Sequence, residues 1–321
     1  MAKILIQGDK NFSSQFEKLL EKRESVDLNI EKVVDDIIKQ IRKNGDKALL
    51  KLTNKLDNNN VKKVSELVVK TNEIELAFSK VNKKVIKSLK HAIKRIKSYH
   101  QRQLPKNNIY RDKDGILLGG IWNPVESVGL YVPGGTAAYP SSLIMNAVPA
   151  IVAGVKRIVM TVPASNGELS DLVLCCAKLL GINEIYKIGG AQAIASLAIG
   201  TKGIKKVSKI VGPGNAYVAT AKKKMFGLVG IDMIAGPSEI LVIADNKNNP
   251  NHIAIDLLSQ AEHDKLAQSI LITDDKIFAD KVIASVNYYL KKIDRKKIAQ
   301  QSWKRYGAVI ICKDLKNSIE L

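Results

Sequence analysis

From residue 126 onward, short apolar runs rich in Val and Ile alternate with longer stretches whose apolar residues recur at helical spacing. This alternation constrains the fold more than any other feature. Strands connected through helices run parallel, and a parallel sheet needs helices over both faces to keep its apolar side chains dry. The pattern predicts strands near 128–132, 157–162, 184–188, 207–211, 241–244, 270–273 and 308–312, with helices near 142–153, 169–180, 192–197 and 216–225. The fold class is therefore α/β, with two Rossmann-like, doubly wound parallel-sheet domains over 121–236 and 237–321.

Residues 1–120 have a different texture. Val33, Ile37, Ile38 and Ile41 recur at helical spacing, as do Ile86, Leu89, Ile93 and Ile96. Asn44-Gly45-Asp46 ends one helix and caps the next, and Leu104-Pro105 closes the helical region. Asp114-Gly115 then suggests a hairpin. This N-terminal region is expected to pack on the second α/β domain.

The net charge of +20, most of it from Lys, raises the possibility of a nucleic-acid-binding protein. The Lys residues, however, scatter along helical stretches such as Lys222-Lys223-Lys224 and Lys291-Lys292, with no interleaved stacking aromatics. They read as a solvated surface. Cys175, Cys176 and Cys312 offer neither a disulfide framework nor Cys-type zinc spacing, which fits a reduced, cytoplasmic setting. The N-terminus lacks the apolar core of a secretory signal, and the most apolar run, 143–155, is too short to span a bilayer. A soluble protein without a membrane partner is expected.

Three glycine-containing turns follow predicted strands and open helices: Pro133-Gly134-Gly135, Gly189-Gly190-Ala191-Gln192 and Gly212-Pro213-Gly214-Asn215. All would lie at the carboxyl edge of a parallel sheet, where ligands bind, and helix N-termini there offer free N–H groups to anions. None is the dinucleotide fingerprint, because Tyr217 stands where the third Gly would fall. Each turn alone fits close strand–helix packing equally well. Further on, Ala235-Gly236-Pro237-Ser238-Glu239 leads into a strand, and Ser238 either contacts a ligand or shapes the turn.

In Leu257-Leu258-Ser259-Gln260-Ala261-Glu262-His263-Asp264, Gln260 and His263 are three apart on a predicted helix and share one face. They could converge on an ion, although a Gln carbonyl cannot hold zinc unaided. A protonated, solvated His at a helix C-terminus explains His263 as well. Glu262 projects about 100° round the helix from His263 and is not a base for the same site.

Together, VGLYVPGGTAAYPSSLIMNAVPA, KIGGAQAIASLAIGT, KIVGPGNAYVATAK, IDMIAGPSEILVIAD and LLSQAEHD resemble the histidinol dehydrogenase family over nearly the whole chain. The resemblance implies a homodimeric oxidoreductase that converts L-histidinol through L-histidinal to L-histidine, the last steps of histidine biosynthesis. It implies two NAD⁺ consumed per turnover and one zinc per subunit. By analogy, Tyr131, Gln192 and Asn215 match NAD-contacting positions and Ser238 a substrate-contacting one, while Gln260 and His263 match positions that bind both zinc and substrate. Family members continue beyond the position matching Leu321. Their catalytic Glu-His pair, and the Asp and His completing the zinc shell, are expected there, so no catalytic residue is assigned within this chain. A C-terminal part of the family fold is expected to be absent, with the strand at 308–312 short of neighbours. The competing expectation is a non-catalytic remnant with residual NAD binding.

Overall fold

The computed structural model describes residues 2–24, 28–134, 140–234 and 236–321. The chain forms two compact units, Met1–Val26 with Ala235–Leu321, and Asp27–Ile234. In chain order, the first unit begins with β1 (Lys3–Ile6) and α1 (Phe12–Glu24). The second unit carries four helices, α2 (Leu28–Asn44), α3 (Asp46–Leu56), α4 (Thr71–Lys80) and α5 (Lys83–Gln101), and the hairpin strands β2 (Asn108–Arg111) and β3 (Leu117–Gly120). It continues with β4 (Ser127–Tyr131), α6 (Pro140–Ala153), β5 (Arg157–Thr161), α7 (Asp171–Leu180) and β6 (Glu184–Tyr186). It ends with α8 (Gly190–Ile199), β7 (Lys209–Val211), α9 (Ala216–Met225) and β8 (Gly230–Ile231). The chain then returns to the first unit with β9 (Glu239–Ile243), α10 (Pro250–Ala261), β10 (Gln268–Thr273), α11 (Lys276–Tyr289), α12 (Lys296–Tyr306) and β11 (Ala308–Ile311).

In the Asp27–Ile234 unit, the main sheet has the order β6-β5-β4-β7-β8, and every pairing is parallel. Period-2 alternation assigns its side chains to two cores. Val128, Leu130, Val132, Met160, Val162 and Ile185 join α6 and α7 on one face. Tyr131, Val159 and Ile210 join α8 and α9 on the other. Gly129 also points to that second face, where a Cβ would lie 2.9 Å from a Leu197 methyl.

The N-terminal helices complete these same layers. Val34, Ile37, Ile38, Ile41 and Leu49 of α2 and α3 are buried with α8 and α9, while Ile74 and Ala77 of α4 are buried with α6 and α7. This corrects the expectation that residues 1–120 pack on the second α/β domain. Only β1 and α1 join that unit. The apolar stripes of α2–α5 instead close the two faces of the sheet that follows them in sequence, which its own helices leave incompletely covered.

The other unit has a parallel sheet of order β1-β11-β10-β9. α10, α11 and α12 bury one face with Leu271, Val309 and Ile311, and α1 covers Leu5, Ile272 and Ile310 on the other. The expectation that β11 lacks neighbours is also corrected. It is fully buried between β10 and β1, because the N-terminal strand pairs with it from Lys3↔Ala308 to Ile6↔Ile311. Bare apolar surface occurs instead on the edge strand β9, where Leu241 is 53% and Ile243 47% exposed.

Candidate functional site

β4 and β7 are adjacent in the sheet, and from them the chain winds outward to β5 and β6 on one side and to β8 on the other. A crevice opens at the carboxyl ends of strands where the winding reverses, and this is where such sheets receive ligands. Gly212, just after β7, sits at that point with φ +118°, and a Cβ there would lie 2.1 Å from the Tyr131 carbonyl oxygen. Only Gly permits this approach. Both polar groups of Gly212 are held: its N–H donates to Asp232 Oδ2 at 2.8 Å, and its carbonyl accepts from Lys222 Nζ at 3.0 Å. Lys222, 3% exposed, also pairs with Asp232, so one ion pair clamps the β7–α9 turn.

Tyr131 closes β4 and is buried, and its Oη accepts from the Gly190 N–H at 3.1 Å. Burial pushes its phenol up to about 12, and the nearby Asp57 carboxylate adds to the rise. It is therefore neutral at physiological pH and acts as a hydrogen-bonding group rather than a base. Gln192, in the first turn of α8, is 1% exposed. Its Nε2 donates to Asp57 Oδ2 at 3.5 Å, whereas its Oε1 has no partner among the described residues. Gly190 makes room for that oxygen: a Cβ at Gly190, whose φ is +62°, would lie 2.7 Å from Gln192 Oε1.

Asp57 follows α3 and is a site residue that sequence reasoning misses. It also accepts from the Gly189 N–H at 3.2 Å, across 132 positions of sequence. Burial raises its carboxyl pKa above the ordinary value, and the bonds from Gly189 and Gln192 pull it partway back. The Asn58-Asn59-Asn60 run beside it reads as a loop after a helix, and nothing local ties it to Gly189. Asn215 is the N-cap of α9, with its Oδ1 accepting from the Val218 N–H at 3.1 Å. In the remaining turn, Gly134 packs so closely that a Cβ would lie 2.6 Å from the Pro163 carbonyl, and Gly135 lies outside the described residues.

The other unit holds Ser238, Gln260 and His263. Ser238 immediately precedes β9, and its carbonyl accepts from the Gln268 N–H at the start of β10. α10 ends at Ala261, so His263 lies just beyond the helix expected to carry it. The His263 N–H donates to the Gln260 carbonyl at 3.1 Å, a 3₁₀-type turn in which residues three apart eclipse each other. The spacing therefore still links the pair, through a backbone turn rather than a continuing helix. All three residues gather at the amino-terminal edge of this sheet. Ala235, the first residue of the Ala235-Gly236-Pro237-Ser238-Glu239 segment, lies outside the described residues.

A tetrahedral zinc site takes four donors. Gln260 and His263 would supply at most two, and among the described residues no group of three or more His, Cys, Asp or Glu could hold a metal. These residues do not complete a zinc shell. The carboxyl edge of the other unit's sheet gives the opposite result, since a buried acceptor without a partner among the described residues, beside a glycine turn and a helix N-terminus, suits a ligand that brings donors and anionic groups.

The histidinol dehydrogenase family model matches residues 20–321. The histidinol dehydrogenase of Brucella abortus (strain 2308) is 50% identical over 321 residues, which is 100% of this chain and 74% of that protein. The chain belongs to the histidinol dehydrogenase family. The histidinol dehydrogenase of Agrobacterium fabrum is 51% identical with the same coverage. The crystal structure of histidinol dehydrogenase from Elizabethkingia anophelis superposes with a TM-score of 0.89 at 34% identity, covering 99% of this chain and 72% of that one. Histidinol dehydrogenases are NAD-dependent oxidoreductases of histidine biosynthesis, and this membership assigns the parallel-sheet architecture and the oxidoreductase class together. Among the described residues, no helix is long and apolar enough to cross a membrane.

Proposed function

We propose that the carboxyl edge around Tyr131, Gln192 and Asn215 binds NAD, and that Ser238, Gln260 and His263 contact L-histidinol, the substrate of the family's four-electron oxidation. The buried Oε1 of Gln192, unpartnered among the described residues, carries this reading, because a buried acceptor is normally satisfied and a dinucleotide presents hydroxyl and amide donors. NAD, when bound, would supply the hydride acceptor for both oxidations, that of the carbinol and that of the aldehyde.

The chain's own groups position rather than exchange protons. Tyr131, held neutral, fixes the Gly190 amide and with it the start of α8. The Asn215 cap sets the start of α9, so two helix N-termini face the ligand edge. Gln260 and His263 would orient the imidazole and amine of histidinol and contribute two donors to the family's zinc. Two donors alone hold zinc weakly. The proposed setting is the cytoplasm, with a second copy of the chain as partner.

The test combines the protein with L-histidinol and NAD⁺. NADH should form in a ratio of two per histidine, and Gln192→Ala should weaken NAD⁺ binding. Absence of histidinol-dependent NADH would overturn the reading. For the metal, the protein should lose zinc on dialysis, and His263→Ala should abolish what binding there is. Stoichiometric zinc that survives dialysis would show that other residues complete the shell.

A further inference from the structure

We infer that Asp57 is a positioning residue for the dinucleotide, which sets the direction of the Gln192 carboxamide so that its oxygen faces the ligand. The inference rests on the reading of this edge as the NAD site.

A primary amide presents a donor end and an acceptor end, and the two differ little in shape. Something must choose between them when the group is buried. Gln192 is 1% exposed, and water does not make the choice. An ionised carboxylate only accepts, so Asp57 Oδ2 takes the Nε2 end at 3.5 Å and leaves Oε1 on the opposite side. That oxygen is unpartnered among the described residues and lies over Gly190, where a Cβ would stand 2.7 Å away. Asp57 Oδ2 also accepts from the Gly189 N–H at 3.2 Å, so one carboxylate ties the turn and the side chain together. Asp57 is itself almost buried, at 9% exposure. Confining a carboxylate to that place with neutral hydrogen-bond donors is costly. The hydrogen bonds it accepts come from the segment that opens α8.

Asp57→Asn preserves shape and removes this choice. The introduced carboxamide can accept from Gly189 and donate its own N–H to Gln192 Oε1, turning the Gln192 side chain round so that a donor faces the ligand. NAD⁺ affinity should then fall about tenfold, the loss expected when one ligand hydrogen bond is replaced by two opposed donors. Because Asp57 acts through Gln192, Asp57→Asn should cost nothing further in a Gln192→Ala background. A merely structural role would give additive losses.

The experiment measures NAD⁺ dissociation constants by titration calorimetry for wild type, Asp57→Asn, Gln192→Ala and the double variant, with unfolding midpoints alongside. Loss in both single variants and no further loss in the double variant supports the inference. Wild-type affinity in Asp57→Asn, or additive losses, overturns it while leaving the NAD reading intact. No NAD⁺ binding by wild type overturns both. Should Asp57→Asn fail to fold, amide exchange in the unsubstituted chain provides the check. The Gln192 side-chain protons should be protected before NAD⁺ is added, and fast exchange would refute the Asp57 bond.

Discussion

Asp57 shows at the level of one residue how the ligand edge trades stability for orientation. Burial raises its carboxyl pKa above the ordinary 3.8, and its hydrogen bonds offset only part of that cost. A raised folded-state pKa means that the native protein holds the proton more tightly than the unfolded chain. The group's stabilising contribution is then fully present below its ordinary pKa and is lost as pH rises through the folded value. At neutral pH the ionised carboxylate works against folding. Asp57→Asn should therefore raise the urea midpoint at pH 7, and its advantage should shrink as pH falls to the ordinary carboxylate range. A lower midpoint at pH 7 would show that the two accepted hydrogen bonds outweigh burial. Residues of this kind are poorly legible in sequence. Tyr131 and Gln192 stand beside glycine turns and are reached through family resemblance, whereas Asp57 lies 132 positions from Gly189. Only the packing of α3 against α8 brings it there.

At the level of elements, the turn from β7 into α9 depends on Gly212. The residue has a left-handed φ of +118°, and a side chain would meet the Tyr131 carbonyl at 2.1 Å. Gly212→Ala should destabilise the protein by ~3 kcal/mol or more, read from denaturant unfolding, since backbone strain and a clash with main chain combine. A loss under about 1 kcal/mol would mean that the β4–β7 edge yields easily. Lys222→Met tests the clamp on the same turn. It leaves Asp232, 29% exposed, without its cation, and should cost ~2 kcal/mol, less than a fully buried pair because water reaches the carboxylate. The sequence pattern matches α9 over 216–225, because cap, apolar spacing and basic last turn agree there. It misses β1, a short strand whose partner β11 lies at the far end of the chain, and β8, which has two residues. It also carries α10 on to His263, since a 3₁₀ turn and an α-helical turn place residues three apart on similar sides.

At the level of the whole molecule, the alternation of strands and helices sets the layers but offers no guide to which sheet the N-terminal helices cover. That depends on how much apolar face each sheet leaves open. The hairpin β2–β3 raises a similar question of cover. Ile109 and Leu117 point to one side of it and Tyr110 and Leu118 to the other, by the register Tyr110↔Leu118 and Arg111↔Leu117. They are 58%, 60%, 50% and 42% exposed, and Ile121 and Trp122 continue the surface at 64% and 66%. A two-stranded hairpin has little stability in water without a packed face, and apolar surface on both sides marks it for burial by a partner. The second copy of this chain proposed above would supply that cover. The charge of +20 makes two copies repel, so apolar burial has to drive the association against electrostatics. Two outcomes follow in sedimentation equilibrium. Added salt should tighten the dimer by screening the repulsion, and Ile109→Asp/Leu118→Asp, one charge on each face, should give folded monomers. A dimer that dissociates as salt rises would place the interface on ion pairs, away from the hairpin.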